Sequence, residues 1–341
     1  MKEHAIIPIF LPHRGCPNDC VFCNQKEITA KMEPALKEEM IETIEKYMST
    51  LSRGKVKVIE IAFFGGSFTG MPMEEQNLYL KIAKEYKDRG MIHEIRLSTR
   101  PDYIGKEILE NLKRYGVDTI ELGAQSFHDE VLSLSNRGHI SQDIRDSAAM
   151  IKDYGFKLGI QLMIGLPGDT YERAIESAEE TIKLKPDMTR IYPTITLRNT
   201  ALAQMYFSGE YKPFSREEIL KTTKDVYKLL VNKDIKVIRV GLKSSDLINE
   251  ENAIVAGDYH PAFRQMVEAE LFKEKIEEYL EGSDLTHCKK IIFYTNEKNS
   301  SNIIGHRKSN KQYFEAKYKE IQFEYKVDPS IKDNHFEALL L

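Results

Sequence analysis

Short β-branched runs alternate with longer amphipathic stretches along most of this 341-residue chain. The runs predict strands, and the stretches between them, in which apolar residues recur every three or four positions, predict helices. The predicted strands are 6–11, 56–64, 93–99, 117–123, 157–164, 188–195 and 235–241. The predicted helices lie near 35–52, 73–88, 105–115, 141–154, 170–184 and 215–232. This alternation indicates βαβ units and a parallel sheet.

Six or seven repeats of one βαβ unit predict an α/β fold, for which two architectures remain open. A complete or partial barrel is one, and a doubly wound open sheet is the other; periodicity does not separate them. From about residue 244 the alternation stops, giving way to a helical stretch over 260–281 and strands near 290–294 and 320–327. We therefore predict a core domain over 1–244 and a small α+β accessory unit over 245–341.

Composition excludes several classes of protein. Apolar residues make up 41% and charged residues 30% of the chain, which is ordinary for a soluble globular protein. The net charge of −4 argues against a general binder of polyanions. Four cysteines, three of them clustered, argue against a disulfide framework and favour a reducing compartment. The sequence shows neither a signal peptide nor a membrane span, so we expect a cytoplasmic protein with no membrane partner.

The most specific pattern is CxxxCxxC, formed by Cys16, Cys20 and Cys23. Three thiolates on one short loop can bind three irons of a [4Fe–4S] cluster and leave the fourth iron open to another ligand. A structural zinc site is the alternative, but zinc takes four ligands, usually as two closely spaced pairs. Cys288 has no partner at pair spacing, and His13 is too close to Cys16 to fold back easily. The spacing therefore favours the cluster.

The CxxxCxxC motif follows the apolar strand 6–11, and Phe22 stands directly before its last cysteine. This arrangement resembles the signature of radical S-adenosylmethionine (SAM) enzymes. The resemblance implies a partial (β/α)6-type TIM barrel, a [4Fe–4S] cluster on the three cysteines, and SAM bound at its open iron beside Phe22. It also implies reductive cleavage of SAM to a 5′-deoxyadenosyl radical, with a reductant such as flavodoxin or ferredoxin. In barrels of this kind the active site lies at the carboxyl ends of the strands.

Two further segments stand at predicted strand ends. Gly65-Gly66-Ser67 ends the second strand, where adjacent glycines allow close approach to a ligand. The resemblance implies that this segment contacts the amino group of SAM; a simple tight turn is the alternative. Thr99 belongs to Thr-Arg-Pro-Asp, which is similar to the Elongator catalytic subunit family of radical SAM proteins. Thr99 is therefore a predicted SAM contact, although the same residues also suit the start of a helix.

The later strand ends extend the resemblance. The segments around Gln125 and Arg137 are similar to Gly-x-Gln-Ser-Phe and Arg-Gly-His, which the Elongator subunit shares with the oxygen-independent coproporphyrinogen dehydrogenases. In those families the glutamine lies near SAM and the arginine pairs with its carboxylate; a surface ion pair is the alternative for Arg137. Gly165 and Leu166 begin Gly-Leu-Pro-Gly-x-Thr, which implies a turn near the adenine or ribose. Gln161 stands where the porphyrin enzymes carry an aspartate that binds ribose.

The substrate is predicted less directly. Arg198, in a segment similar to one of the Elongator subunit, and His260 are the predicted catalytic residues. The resemblance spans roughly 4–242, and we expect no acetyltransferase domain of the kind with which the Elongator subunit ends. It implies an enzyme that modifies RNA, such as a tRNA. Alternatives are a radical SAM enzyme acting on a small, porphyrin-like molecule, and a non-enzymatic RNA-binding protein with a structural metal.

The accessory unit carries its own hypothesis. A predicted strand, the segment Gly305-His306-Arg307-Lys308 and a final strand resemble a degenerate KH module, in which a GxxG loop clamps the nucleic-acid backbone. The first glycine is present and the second is not. Gly305, His306, Arg307, Lys308 and Lys311 are the predicted RNA contacts, since their basic cluster suits phosphate. A solvated charged surface is the alternative.

Overall fold

The computed structural model describes residues 4–11, 14–16, 20–24, 37–51, 56–242 and 253–341. His13, weighed above as a zinc ligand, and the predicted domain boundary at 244–245 lie outside them. The chain divides into two compact units, Met1–Ile219 with Leu229–Tyr259 and Leu220–Lys228 with His260–Leu341, called here the first and second unit. No helix in the described ranges combines the length and apolar character that crossing a bilayer requires.

The first unit consists of alternating strands and helices. Its strands are β1 His4–Leu11, β2 Val58–Gly65, β3 Glu94–Thr99, β4 Thr119–Gln125, β5 Lys157–Ile164, β6 Met188–Pro193, β7 Thr196–Leu197, β8 Lys236–Val240 and β9 Ile254–Ala256. Its helices are α1 Lys37–Thr50, α2 Met73–Asp88, α3 Lys106–Arg114, α4 Asp129–Leu134, α5 Ser141–Asp153, α6 Tyr171–Leu184 and α7 Ala201–Ser208, followed by α8 Arg216–Val231, which continues into the second unit.

Seven strands form one parallel sheet in the order β1-β2-β3-β4-β5-β6-β8. Chain order and spatial order therefore run together without reversing. A doubly wound sheet requires a point at which the strand order reverses, so that alternative is excluded. Because crossovers between parallel strands are right-handed, continuous progression places the helices on one face and curls the sheet. The predicted partial TIM barrel is confirmed, with seven strands in its sheet.

Several predicted elements change at their ends. The predicted strand 188–195 stops at Pro193, and a separate short strand, β7, follows it. The predicted strand 117–123 is shifted to Thr119–Gln125, because the Val117 N–H closes the end of α3 on the Leu112 carbonyl. Helices α4 and α7 were not predicted. For α7 a signal exists, since the Thr200 hydroxyl accepts the Ala203 N–H as an N-cap.

The second unit forms a small α+β fold. Its elements are α9 Phe263–Glu281, β10 Lys290–Thr295, α10 Ser300–Ile304, α11 Ser309–Lys317, β11 Gln322–Val327 and β12 Glu337–Leu340. The strand order is β11-β10-β12, with β10 parallel to β11 and antiparallel to β12. The core of this unit contains the buried side chains of Phe272, Ile276, Leu280, Ile291, Phe293, Ile303, Phe314 and Phe323.

Candidate functional site

The cysteine segment, meaning Cys16 and residues 20–24, follows β1. Backbone hydrogen bonds join it to distant parts of the first unit. The Val21 N–H donates to the Ser135 carbonyl over 3.2 Å, and the Leu202 N–H donates to the Val21 carbonyl over 2.7 Å. The Cys23 N–H closes a tight turn on the Cys20 carbonyl at 2.9 Å. These bonds fix the segment near the residues that follow β4 and β7.

Arg137 is the clearest link between this segment and the barrel. Its Nη1 donates to the Cys20 Sγ over 3.1 Å, and its Nη2 donates to the Gly123 carbonyl of β4 over 2.7 Å. Its guanidinium also lies over the Phe22 ring, 6.0 Å from the centroid. The residue is 6% exposed, so these contacts are made in a largely water-free environment. These contacts hold the Cys20 sulfur beside β4.

Cys16 lies in the same electrostatic environment. Burial and the neighbouring Cys20 raise the pKa of the Cys16 thiol, while Arg100 and Arg137 act to lower it. Arg100 is itself fixed by two hydrogen bonds to the Asp102 carboxylate, of 2.9 and 2.8 Å. Two immobile guanidinium groups thus face the cysteine segment, which suits a site that binds negatively charged ligands.

The glycine pair at the end of β2 is required by a close backbone contact. A Cβ on Gly66 would lie 2.0 Å from the Arg14 carbonyl oxygen, and the Ser67 N–H donates to that oxygen over 2.8 Å. Gly65 has φ +109°, which few other residues adopt. The turn therefore fits directly against the residues before Cys16. The predicted contact of Gly65, Gly66 and Ser67 with SAM is a separate matter and stays a prediction.

Three buried hydroxyl groups connect β2 with β3. The Thr99 Oγ1 lies 2.9 Å from the Ser67 Oγ and 2.5 Å from the Thr69 Oγ1. The Ser67 Oγ also accepts the Arg100 N–H over 3.1 Å. Ser67 and Thr99 are therefore engaged in a network that positions Arg100.

Strands β4 and β5 carry two amide side chains, and the turn after β5 is held by two hydrogen bonds. The Gln161 Nε2 on β5 donates to the Gln125 Oε1 at the end of β4 over 3.1 Å, and Gln125 has φ +68°. After β5, the Gly165 N–H donates to the Asp169 carboxylate over 2.8 Å, and the Gly165 carbonyl accepts the Tyr211 hydroxyl over 2.7 Å. Gln125 ends β4, Gln161 lies within β5 and Gly165 follows β5, so the three residues lie on or directly after two adjacent strands.

The turn after β5 is largely buried. Leu166 is 2% exposed. Burial raises the pKa of Asp169 to about 6, although its hydrogen bonds from Gly165 and Thr170 oppose the shift. The turn is therefore a fixed element of the site rather than a solvated loop.

The two predicted catalytic residues belong to different units. Arg198 is exposed and follows β7, where its N–H donates to the Ala253 carbonyl over 2.8 Å. His260 belongs to the second unit, in which its Nδ1 accepts the Ala262 N–H over 3.0 Å. Its ring lies edge-on against His306, at 4.9 Å between centroids. The catalytic roles of Arg198 and His260 stay predictions.

An ion-pair network inside the barrel was not predicted. Arg96 on β3 lies 2.9 Å from the Glu60 carboxylate of β2 and 3.7 Å from the Glu121 carboxylate of β4. Arg190 on β6 lies 3.0 Å from the other Glu121 oxygen. Glu121 can reach past β5 because Gly159 leaves room for it; a Cβ on Gly159 would lie only 3.0 Å from its side chain. Charged residues at inward positions of apolar strands were the available signal.

Two guanidinium nitrogens near the cysteines have no hydrogen-bond acceptor. In the part of the chain that the structure describes, the buried Nη1 of Arg100 and Nε of Arg137 lack one. Buried donors normally have partners, so unsatisfied donors on fixed side chains indicate where a ligand's acceptor atoms fit.

The cysteines are not joined by disulfides in the described ranges. Within those ranges, no three His, Cys, Asp or Glu side chains lie close enough together to hold a metal ion. Residues 17–19, between the first two cysteines, are outside the description. Assignment of Cys16, Cys20 and Cys23 as a ligand set therefore stays a prediction.

Comparison with known proteins identifies the family. Residues 10–181 match the model of the radical SAM superfamily, and residues 186–273 match that of the radical SAM C-terminal domain. The chain belongs to the radical SAM superfamily. It is therefore an enzyme of a superfamily that uses a [4Fe–4S] cluster and SAM, and the predictions of enzyme class and cofactors are confirmed at this level.

The relatives of this chain include tRNA uridine(34) acetyltransferases and Elongator complex proteins. A tRNA uridine(34) acetyltransferase of Methanocaldococcus jannaschii is 27% identical over 255 residues, which are 64% of this chain and 47% of the relative. Human Elongator complex protein 3 is 27% identical over 258 residues, covering 62% of this chain and 46% of the relative. The chain spans about half the length of these two relatives. The predicted resemblance to the Elongator subunit is confirmed.

The fold agrees with that of a solved structure. The archaeal Methanocaldococcus infernus Elp3, with an N-terminal deletion, superposes with a TM-score of 0.64 at 22% identity. The superposition covers 81% of this chain and 64% of the other. It supports the partial barrel.

The residues present fit the family's cofactors. Thiolates are the usual ligands of iron–sulfur clusters, and three cysteines outside any described disulfide follow β1. The unsatisfied donors of Arg100 and Arg137 belong to guanidinium groups near the cysteines and suit anionic acceptors. A structural zinc site would need a fourth ligand.

Proposed function

We propose that Cys16, Cys20 and Cys23 hold a [4Fe–4S] cluster, that SAM binds beside it at the carboxyl ends of the strands, and that the substrate is RNA, such as a tRNA. When bound together, the cluster and SAM supply one-electron chemistry that leads to hydrogen-atom abstraction from a substrate. The observation that carries the proposal is the Arg137 guanidinium, which joins the Cys20 sulfur to the end of β4.

The surrounding residues position and shield this site. Arg137 keeps the Cys20 sulfur in place and Phe22 beside it. Arg100, fixed by Asp102, adds a second positive charge for anionic groups of SAM. The buried guanidinium groups need no reorganisation when a ligand arrives, and their low exposure strengthens their interaction with charge.

The other predicted cofactor contacts divide into two groups. Gly65, Gly66, Ser67 and Thr99 lie at and after the ends of β2 and β3, where Gly66 fits against the residues before Cys16. Gln125, Gln161, Gly165 and Leu166 lie on β4 and β5 and in the turn after β5. In this proposal SAM contacts both groups.

RNA as the substrate rests on the names of the relatives. Two of them are tRNA uridine(34) acetyltransferases, and others are Elongator complex proteins. An RNA base or ribose offers carbon–hydrogen bonds for abstraction. An electron-donor protein of the flavodoxin or ferredoxin class completes the proposed set of partners.

The cysteine assignment is tested by comparing Cys20→Ala with Cys288→Ala. Cys288 is a matched control, since it lies in the second unit and its Sγ donates to the Lys290 carbonyl. After anaerobic reconstitution, we expect the wild type and Cys288→Ala to bind about four irons per chain, and Cys20→Ala to lose the cluster. Equal iron in both variants, or stoichiometric zinc in the wild type, would contradict the assignment.

The substrate is tested separately. The reconstituted protein is incubated anaerobically with dithionite, SAM and bulk tRNA from cells grown in deuterated medium. We expect 5′-deoxyadenosine to form and to carry deuterium. Deuterium-free product with tRNA, together with deuterium transfer from a deuterated small-metabolite pool, would reject RNA in favour of a small molecule.

A further inference from the structure

A glycine-led turn in the second unit connects two short helices. The order is β10, α10, the turn Gly305–Lys308, α11 and β11, and the two strands are parallel neighbours. The crossover between them is thus made by a helix pair with the turn at its apex. This strand–helix–turn–helix–strand order is the setting in which a GxxG loop contacts nucleic acid in KH modules.

Three residues of this turn have positive φ, although only one of them is glycine. Gly305 has φ +88°, and a Cβ there would lie 2.4 Å from the Ser309 Oγ and 2.5 Å from the Asn310 nitrogen. Arg307 and Lys308 have φ +52° and +65°. Lys308 stands where the second glycine of GxxG belongs and adopts the left-handed conformation that glycine favours. A GxxG-like backbone is therefore kept, with a cation added.

A buried amide holds the turn in place. Asn310 is fully buried, and its Nδ2 donates to the Ala269 carbonyl of α9 over 2.8 Å. The same nitrogen lies 3.3 Å from the Asn302 carbonyl of α10. The Asn310 side chain thus joins three helices next to the turn. The backbone of the turn is therefore held in one position, and its exposed residues project from it.

The tip of the turn carries two available positive charges. Arg307 and Lys308 are exposed, and in the described part of the chain neither side chain forms an ion pair or hydrogen bond. Lys311, one turn along α11, has Glu315 3.7 Å away. His306 faces Gln265, with 3.4 Å between its Nδ1 and the amide oxygen. Among the predicted RNA contacts, Arg307 and Lys308 are therefore the residues most available for a ligand.

We propose that the turn Gly305–Lys308 binds the phosphate backbone of single-stranded RNA through Arg307 and Lys308. Paired cations suit adjacent phosphates, and a fixed backbone limits the entropy lost on binding. An anionic membrane is a poorer partner, because none of the large apolar side chains exposed in the described residues belongs to the turn. The choice of RNA rests on the proposed function.

The test uses the full-length reconstituted protein and a fluorescein-labelled U12 oligonucleotide, with binding followed by fluorescence anisotropy from 50 to 300 mM salt. The double variant Arg307→Gly/Lys308→Gly removes both charges at positions whose backbone already suits glycine. We expect binding at least about tenfold weaker at 100 mM salt. We also expect the slope of log K against log salt to fall by about 1.4, since each phosphate contact with a single strand contributes about 0.7.

Two further variants separate charge from folding. Lys319→Gly removes an exposed lysine from the turn between α11 and β11, and we expect less than a twofold change in affinity. Arg307→Lys/Lys308→Arg keeps both charges, and we expect the wild-type salt slope. Melting temperatures of all variants identify any loss of binding that is caused by unfolding.

The outcomes distinguish this proposal from the proposed function. Wild-type affinity and slope in the double glycine variant, an equal loss in Lys319→Gly, or no wild-type binding of U12 at 50 mM salt would overturn the role of the turn. A variant that loses binding to phosphatidylglycerol vesicles but keeps binding to U12 would assign the turn to membranes instead. Wild-type cleavage of SAM without binding of U12 overturns only the turn; binding of U12 without cluster or SAM cleavage overturns only the proposed function.

Discussion

The cysteine-side strand ends of the first unit and the Gly305–Lys308 turn of the second use arginine in opposite ways. Arg100 and Arg137 are buried, and each is fixed by protein acceptors, namely the Asp102 carboxylate for Arg100 and the Cys20 sulfur with the Gly123 carbonyl for Arg137. Arg307 and Lys308 of the turn are exposed, and within the described residues their side chains have no ion pair or hydrogen bond.

This difference corresponds to two kinds of ligand. Buried and fixed guanidinium groups suit a small ligand whose position must be accurate, because they interact strongly and do not move. Exposed cations on a fixed turn suit a long polyanion, for which affinity depends on salt and many positions along the strand are equivalent. The comparison therefore separates a site for chemistry from a surface for substrate capture.

The largest expected effect concerns the close backbone fit of the first region. In Gly66→Ala the new Cβ would collide with the Arg14 carbonyl, so we expect the unfolding free energy to fall by more than about 4 kcal/mol. We also expect this variant to lose the cluster. Gly105→Ala is the matched control, because a Cβ added to Gly105 would have no other atom within 4 Å. Urea denaturation and iron content measure both; normal stability of Gly66→Ala would show that the fit is not required.

A second effect concerns the charges inside the barrel. Glu121→Gln leaves the buried Arg190, and part of the charge of Arg96, without compensation, so we expect a loss of about 3 kcal/mol in urea denaturation. In Glu180→Gln the surface pairs with Arg145 and Lys183 are lost, and about 0–1 kcal/mol is expected. Equal losses in the two variants would mean that burial does not distinguish these pairs.

The sequence predicts the partial barrel and the cofactor, but not the ion-pair network inside the barrel. The alternation of strands and helices predicts the partial barrel because each strand is locally encoded, and the spacing of the cysteines predicts the cofactor because the motif is short. The inner network depends on register: Glu121 meets Arg190 only because β5 lies between them and has a glycine at position 159. The contact of Arg137 with Cys20 joins residues 117 positions apart.

A third prediction concerns acid. Burial, and then the positive charge of Arg137, lower the pKa of His139 to about 4; Asp102 opposes this shift and Arg100 adds to it. Because the pKa is lowered in the folded state, the neutral imidazole contributes its full stabilisation above the unfolded pKa of about 6.5. This contribution is lost as the pH decreases from 6.5 towards 4. Between pH 7.5 and 5 we expect the wild type to lose about 2 kcal/mol more than His139→Gln.

The control for this prediction is Cys288→Ala, a substitution in the second unit that removes no imidazole. It should retain the wild-type dependence on pH in urea denaturation. If His139→Gln and the wild type follow the same curve, the buried imidazole does not titrate as described.

The smallest effect belongs to the turn. In Lys308→Gly the backbone keeps its left-handed conformation, so relief of strain and the greater freedom of the unfolded chain oppose each other. We expect the unfolding free energy to change by less than about 1 kcal/mol. By contrast, Gly305→Ala should be clearly destabilised by contact with the Asn310 nitrogen. Thermal melts that reverse this order would show that the turn does not have a glycine-type backbone.

The second unit marks a further limit of sequence analysis. Gly305 and its basic neighbours predict the GxxG-like segment. The sequence has no second glycine, however, and so does not reveal that Lys308 has a φ of +65°, which glycine favours. Likewise, β12 was not predicted, since it pairs antiparallel with β10 from a position more than 40 residues later. Both features depend on tertiary contacts that local propensity does not contain.

The most direct test of the central claim is electron paramagnetic resonance of the anaerobically reconstituted and reduced protein, with and without SAM. We predict a [4Fe–4S] signal in the wild type and in Cys288→Ala that changes when SAM is added, and no such signal in Cys20→Ala. A cluster signal in Cys20→Ala, or a wild-type signal that does not respond to SAM, would contradict the account.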